Sequence, residues 1–225
     1  MPTTISCTAW RPIMAGPGRP TTKHCGCSTR PSRIDPDFAS AYGMAAYCYC
    51  PRKALRWMDD WVDHDAECSR VARKAVDLGK DNAVALSRGG FTLAYVAHDL
   101  DAGSVFIERA LALNPNLAFA WLAIGWLKNW LGEPQAALQH LAHAIRLSPF
   151  DSMMPVIQNA ITLAHFLAGD YDKAWAVMAR VLREKPDNHV ILRYGAASNA
   201  LAGRMEEAQP PPPRQCRSTP GRRHA

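Results

Sequence analysis

Across residues 118–149 the chain carries two apolar stripes at helical spacing. Trp121, Ile124, Gly125 and Leu131 fall on one face of a first helix. Gly132 ends that helix, because glycine accepts the left-handed backbone that a helix stop requires. Pro134 opens the next, at a position where its missing N–H costs nothing. Ala137, Leu138, Leu141, Ala144 and Ile145 then form a second stripe, and Pro149 lies just past its end. The pattern predicts two helices packed back to back.

The same design recurs before and after. Apolar periodicity predicts helices over 38–49, 66–78, 83–97, 100–113, 117–131, 134–147, 155–168, 171–183 and 189–201. Pro51 is expected to break the first of these. Residues 51–65 read as an insertion, a solvated loop or short helix that lays Trp57 and Trp61 on the array. Its acidic run (Asp59, Asp60, Asp63, His64, Asp65) lacks the glycine turn and ligand ladder of an oxygen-rich metal loop. A final partner helix starts at Met205 and stops after Gln209, where four prolines from Pro210 to Pro213 exclude helix.

The loops align. Asp35-Pro36-Asp37, Gly79-Lys80-Asp81, Asn114-Pro115-Asn116, Ser148-Pro149-Phe150 and Lys185-Pro186-Asp187 follow successive second helices. From Lys80 the steps are 35, 34 and 37 residues, and the first step, from Pro36, is 44 because of the insertion. The mid-hairpin turns align too: His98-Asp99-Leu100, Leu131-Gly132-Glu133, Ala168-Gly169-Asp170 and Ala202-Gly203-Arg204.

Two helices per period of about 34 residues resembles the tetratricopeptide repeat. The central unit carries that pattern best, in Trp121, Ile124, Gly125, Leu131, Gly132, Ala137, Ala144 and Pro149. Small residues recur where paired helices touch, Gly125 against Ala137 and Ala144 against the next helix; bulk there would push helices apart. Departures are Lys128 at a usual aromatic, Lys80 for the loop proline, Gly103 for an alanine, and Thr162 at a small position. The resemblance implies an all-α, right-handed solenoid of four to five units over 34–209, while the composition of 1–33 and 210–225 makes them disordered tails. It also implies a concave side lined by the first helix of each unit. The lining would be Tyr47, Phe91, Tyr95, Phe119, Leu122, Trp126, Asn129, Trp130, Asn159, Leu163, Phe166 and Arg193, an aromatic trough for a protein or peptide partner. Trp126 and Trp130, one turn apart, would be its hot spot. A narrower likeness lies in Ala110-Leu111-Ala112-Leu113-Asn114-Pro115-Asn116-Leu117, Gly125-Trp126 and Trp130-Leu131-Gly132-Glu133-Pro134. These phrases resemble the C-terminal repeat region of bacterial class III adenylate/guanylate cyclases. The catalytic domain of that family has no counterpart here, so this likeness implies a detached regulatory or docking half, or a fragment of one.

Charge refines the picture. The formal net charge is +6, but the segment 1–33 holds five basic residues and no acid, and 210–225 holds four and no acid. That leaves −3 for the array, without the basic stripe that nucleic-acid binding needs. The longest apolar run, 117–127, is 11 residues, well short of the roughly 20 of a membrane span. No secretory signal pattern opens the chain, which points to the cytoplasm. Seven cysteines at irregular spacing do not form a disulfide framework. His24-Cys25-Gly26-Cys27 lacks a second pair for zinc. Ten of the 17 prolines lie in the two tails. That composition fits GC-rich codons read out of frame at both ends of a genuine repeat core.

Nothing indicates catalysis or a cofactor. There is no G-x-x-x-x-G-K, H-E-x-x-H or G-x-S-x-G. His140 and His143, with His165 in the next unit, could bind zinc but read as surface histidines. The expected role is non-catalytic protein–protein interaction. The truncated last hairpin leaves the face of 190–201 without a polar cap, which predicts self-association there.

Overall fold

The computed structural model describes residues 37–55, 61–184 and 189–203; at 55, 61–64, 189 and 190 it describes the backbone alone. The described residues fold as α-helices joined by short turns: α1 (Ala39–Tyr47), α2 (Tyr49–Leu55), α3 (Trp61–Leu78), α4 (Ala83–Tyr95), α5 (Leu100–Leu113), α6 (Ala118–Trp130), α7 (Pro134–Leu147), α8 (Met154–Leu167), α9 (Tyr171–Glu184) and α10 (His189–Leu201). The pairs α1/α3, α4/α5, α6/α7 and α8/α9 are hairpins, and α10 packs on α8 and α9. The first helices also pack on one another in the order α1, α4, α6, α8, α10. This is a helical-hairpin solenoid in which the first helices form one continuous row. None of the described helices is long and apolar enough to cross a membrane.

Local chemistry fixes the boundaries. Asn82 caps α4 by accepting the Ala85 N–H at 3.0 Å, and Asp99 caps α5 by accepting that of Ala102 at 3.1 Å. Pro134 opens α7. The mid-hairpin turns pass through the left-handed region at Gly132 (φ 76°), Gly169 (φ 79°) and Gly203 (φ 78°), where glycine has no Cβ to clash. The fourth such turn holds His98 at φ 58°. A histidine there costs roughly 1–2 kcal/mol relative to ordinary backbone.

Small residues sit where helices touch, as expected. A Cβ on Gly125 would lie 2.7 Å from Leu141, with the Ala137 carbonyl 3.5 Å away. Gly103, a departure from the repeat pattern, is explained by its partner: a Cβ there would lie 2.9 Å from the Gly90 carbonyl and 2.6 Å from Ala94 Cβ. Two glycines let α4 and α5 approach more closely than an alanine would permit.

The first unit departs from expectation. α1 ends at Tyr47, the chain turns at Cys48, and α2 restarts at Tyr49 and runs through Pro51. Pro51 is tolerated because it is the third residue of α2, whose amide would have no intrahelical acceptor. Residues 51–55 are therefore helix, and α3 begins at Trp61 instead of residue 66. Trp57, Asp59 and Asp60, the side chains of Trp61, Asp63 and His64, the His24 to Cys27 cluster, both tails and the helix expected from Met205 lie outside the described residues.

Candidate interaction surface: the concave hollow

The twelve residues expected along the hollow fall into two groups. Tyr47, Phe91, Phe119, Leu122, Trp126, Asn129, Asn159 and Leu163 are buried. Tyr95, Trp130 and Phe166 are half-buried, and Arg193 is exposed. Most of the rings are covered by other rings. Tyr47 meets Phe119 edge-on at 5.1 Å between centroids and Phe91 at 5.9 Å. Phe91 in turn meets Phe119 at 6.0 Å, Tyr95 at 6.1 Å and Trp130 at 5.6 Å. Tyr95 and Trp130 stack at 5.4 Å with planes 12° apart, and Trp126 lies 5.7 Å from Trp130. Phe166 instead pairs with Tyr171 at 5.9 Å.

The wide trough implied by the repeat is thus partly filled by its own lining. The reason is curvature. The Tyr47 hydroxyl donates to Met153 Sδ at 3.9 Å, so the end of α1 reaches the start of α8 past α4 and α6. With the first helices curled that tightly, bulky rings from α1, α4 and α6 meet in the middle. Tyr95, Trp130 and Phe166 keep part of their surface open, and the Arg193 side chain of α10 stays exposed.

Residues not singled out from sequence complete the lining. The Arg88 guanidinium lies 4.3 Å over Phe119 and 5.0 Å over Tyr47, a cation on two ring faces. Its signal was position, one turn before Phe91 on the same helix. Cys50 Sγ approaches Thr92 Oγ1 at 3.6 Å. Lys53 Nζ donates to the Val96 carbonyl at 2.9 Å and lies 3.1 Å from His98 Nε2. The Ala54 carbonyl accepts from Arg193 Nη2 at 3.3 Å. These side chains belong to α2, and only its interruption of the repeat period hinted at it.

Polar groups inside the hollow are few. Asn129 Nδ2 donates to the Ala160 carbonyl at 2.9 Å and ties α6 to α8, while Asn129 Oδ1 and Trp126 Nε1 are buried without a partner among the described residues. Burial pushes the Cys50 thiol up to about 12, and the Tyr95 phenol likewise to about 12. Burial drives the Tyr47 phenol and the Cys68 thiol up as well. The two thiols are held protonated, unlike a nucleophilic cysteine.

The histidines do not converge. His140 and His143 both lie against Trp121, at 5.5 and 4.2 Å between centroids, and His165 Nδ1 sits 3.7 Å from Asp170. Among the described residues no group of three His, Cys, Asp or Glu side chains is placed to hold a metal.

Neither a described protein family nor a curated relative matches the chain. Solved structures do. A tetratricopeptide repeat protein from Parabacteroides merdae superposes with a TM-score of 0.56 at 13% identity, over 80% of this chain and 65% of that one. A MamA structure from Desulfovibrio magneticus RS-1 gives 0.53 at 16% identity, over 76% of this chain and 89% of that one. A further MamA structure gives 0.50 at 19% identity, over 76% and 86%. At these identities the likeness is one of fold: the chain has the tetratricopeptide-type architecture. Nothing in the comparisons supports the narrower likeness to a cyclase repeat region.

Proposed function

We propose that this chain is a non-catalytic scaffold that binds a protein or peptide through the open part of its hollow. The observation that carries the reading is the stacked Tyr95–Trp130 pair, half-buried, with the exposed Arg193 charge acting on Tyr95. Rigid aromatic faces next to a guanidinium are the side chains that most often anchor partners, since they bury large area at small entropic cost. The buried residues of the expected lining (Tyr47, Phe91, Phe119, Leu122, Trp126, Asn129, Asn159 and Leu163) shape and stiffen the hollow. Trp130 replaces the Trp126/Trp130 pair as the anchor, because Trp126 is only 7% exposed.

The test is affinity capture with the full chain as bait, comparing Trp130→Ala, Arg193→Ala and a control, Val105→Ala, on the outer face of α5, where Val105 is 62% exposed. Specific partners should be lost with the first two and kept with the third. The same partners captured by all three would refute the hollow as the docking surface. A cyclase among the captured proteins would favour the regulatory-half reading.

A further inference from the structure

Charge is sorted between the two rows of helices. The first helices α1, α4, α6, α8 and α10, with the inserted α2, carry the basic residues Arg52, Lys53, Arg88, Lys128 and Arg193 and no aspartate or glutamate. The second helices α3, α5, α7 and α9 carry eight basic residues and eight acidic ones. Interspersed signs, as in the outer row, largely cancel; a row of one sign gives its side of the molecule a field.

The five cations are not equivalent. Lys128 is paired with Glu133 at 2.9 Å. Arg52, Lys53 and Arg88 are half-buried and lie over ring faces of Tyr49, of Tyr95, and of Tyr47 and Phe119. These three are engaged within the molecule and contribute through their charge alone. Arg193 is exposed. Its Nη2 donates to the Ala54 carbonyl at 3.3 Å, which uses one of the five donors of the guanidinium fork.

Three rings stand around Arg193. Tyr95 and Trp130 stack at 5.4 Å. The Tyr95 phenol feels both Tyr194 and Arg193, and the Tyr194 phenol feels Arg193 as well. Tyr95, Trp130 and Tyr194 each keep part of their surface open. Among the described residues no carboxylate acts on either phenol. Asp151 acts on Tyr47 instead, and its Oδ1 accepts from the Met153 amide at 2.8 Å.

We propose that the hollow takes an acidic segment of a partner protein, with a carboxylate side chain on Arg193 and the apolar neighbours of that carboxylate laid on Trp130 and Tyr95. The proposal rests on the hollow being the docking surface and adds the sign of what docks there. A guanidinium takes a carboxylate through two parallel N–H bonds, and rings around the pair exclude water and strengthen it. The half-buried cations add attraction without contact. A nucleic acid would need a run of exposed cations to neutralise successive phosphates; among the described residues this row exposes Arg193 alone.

Anisotropy with the full chain tests the sign. The probes are rhodamine-labelled Ala-Glu-Phe-Glu-Leu-Glu-Ala-amide and the same peptide with its glutamates replaced by glutamine or by lysine; the amide end leaves side-chain carboxylates only. The glutamate peptide should bind about tenfold more tightly than the glutamine peptide, and the lysine peptide more weakly still. Arg193→Ala should abolish that preference and Arg193→Lys keep part of it. Trp130→Ala should weaken the glutamate and glutamine peptides alike. Arg222→Ala/Arg223→Ala, in the basic 210–225 segment, should change nothing. Equal binding of the glutamate and glutamine peptides overturns the proposal, as does a preference that survives Arg193→Ala or vanishes with Arg222→Ala/Arg223→Ala. Displacement of the glutamate peptide by a twelve-nucleotide oligothymidylate at lower concentration than by unlabelled peptide overturns it in favour of nucleic acid. The hollow is judged separately. Peptides that bind regardless of charge and are lost with Trp130→Ala refute the acidic partner and keep the docking surface. Binding by none of the peptides refutes the acidic partner, and the capture experiment then decides the surface.

Discussion

Gly103→Ala is the substitution on which sequence and structure disagree in sign. In a helix interior alanine is favoured over glycine by about 0.5–1 kcal/mol, and the repeat pattern itself puts alanine there. Sequence alone therefore predicts stabilisation. The structure places the new Cβ 2.9 Å from the Gly90 carbonyl and 2.6 Å from Ala94 Cβ. Neither neighbour is the far end of a flexible side chain, so α4 and α5 must separate. Overpacking of that kind costs about 1–3 kcal/mol, leaving a net destabilisation of about 1 kcal/mol. With a urea slope of about 1–3 kcal/mol/M, the midpoint should fall by about 0.5 M. Urea titration followed by far-ultraviolet circular dichroism measures it. Gly132→Ala is the comparison: its Cβ would meet nothing within 4 Å, so its cost, roughly 1 kcal/mol, comes from φ 76° alone. A midpoint for Gly103→Ala equal to or above the native one would refute the argument that close approach decides this position.

Asn129→Ala should cost about 1–2 kcal/mol, since it deletes a buried bond between α6 and α8; exchange of the α8 amides should rise more than that of α1, and a uniform rise would refute the link. Alkaline pH should loosen the chain. Cys50 and Tyr95 have folded pKa values raised by burial to about 12, so they stay neutral while the unfolded chain ionises. The stability they contribute is complete below pH about 9 and falls as pH rises toward 12. Urea midpoints between pH 8 and 11 should drop, less steeply in Cys50→Val, and a flat profile would refute it. Acid should act through His140, whose pKa is lowered first by burial and then by Lys128. Its neutral form is the folded one, so its contribution is present above the unfolded value and lost as pH falls through the folded value. An imidazole titration by NMR showing a raised value would overturn that.

What could be read from the chain, and what could not, divides along a physical line. Helices, hairpin pairing and stops are local: they follow from apolar spacing, from Gly132 and Gly169, and from Pro134, and from α4 onward each helix lies within two residues of where the pattern put it. That these rings share one side was legible too, because Tyr47, Phe91, Tyr95, Phe119, Trp126 and Trp130 do gather in one ring cluster. Their exposure was not. Whether such rings face solvent or each other depends on the small rotation from one unit to the next, which accumulates along a solenoid and is written in no single residue. Here it brings Tyr47 to Met153, 106 residues away, and leaves Tyr95, Trp130 and Phe166 only partly exposed. The insertion shows the same limit from the other side. Pro51 marks a break in the period, yet proline at the third position of a helix is harmless, and the segment folds inward because Lys53 finds the open carbonyl end of α4. A period tells how often the chain turns; the width of the space it turns around is set by what the interruptions and the bulkiest side chains do once the turns are made.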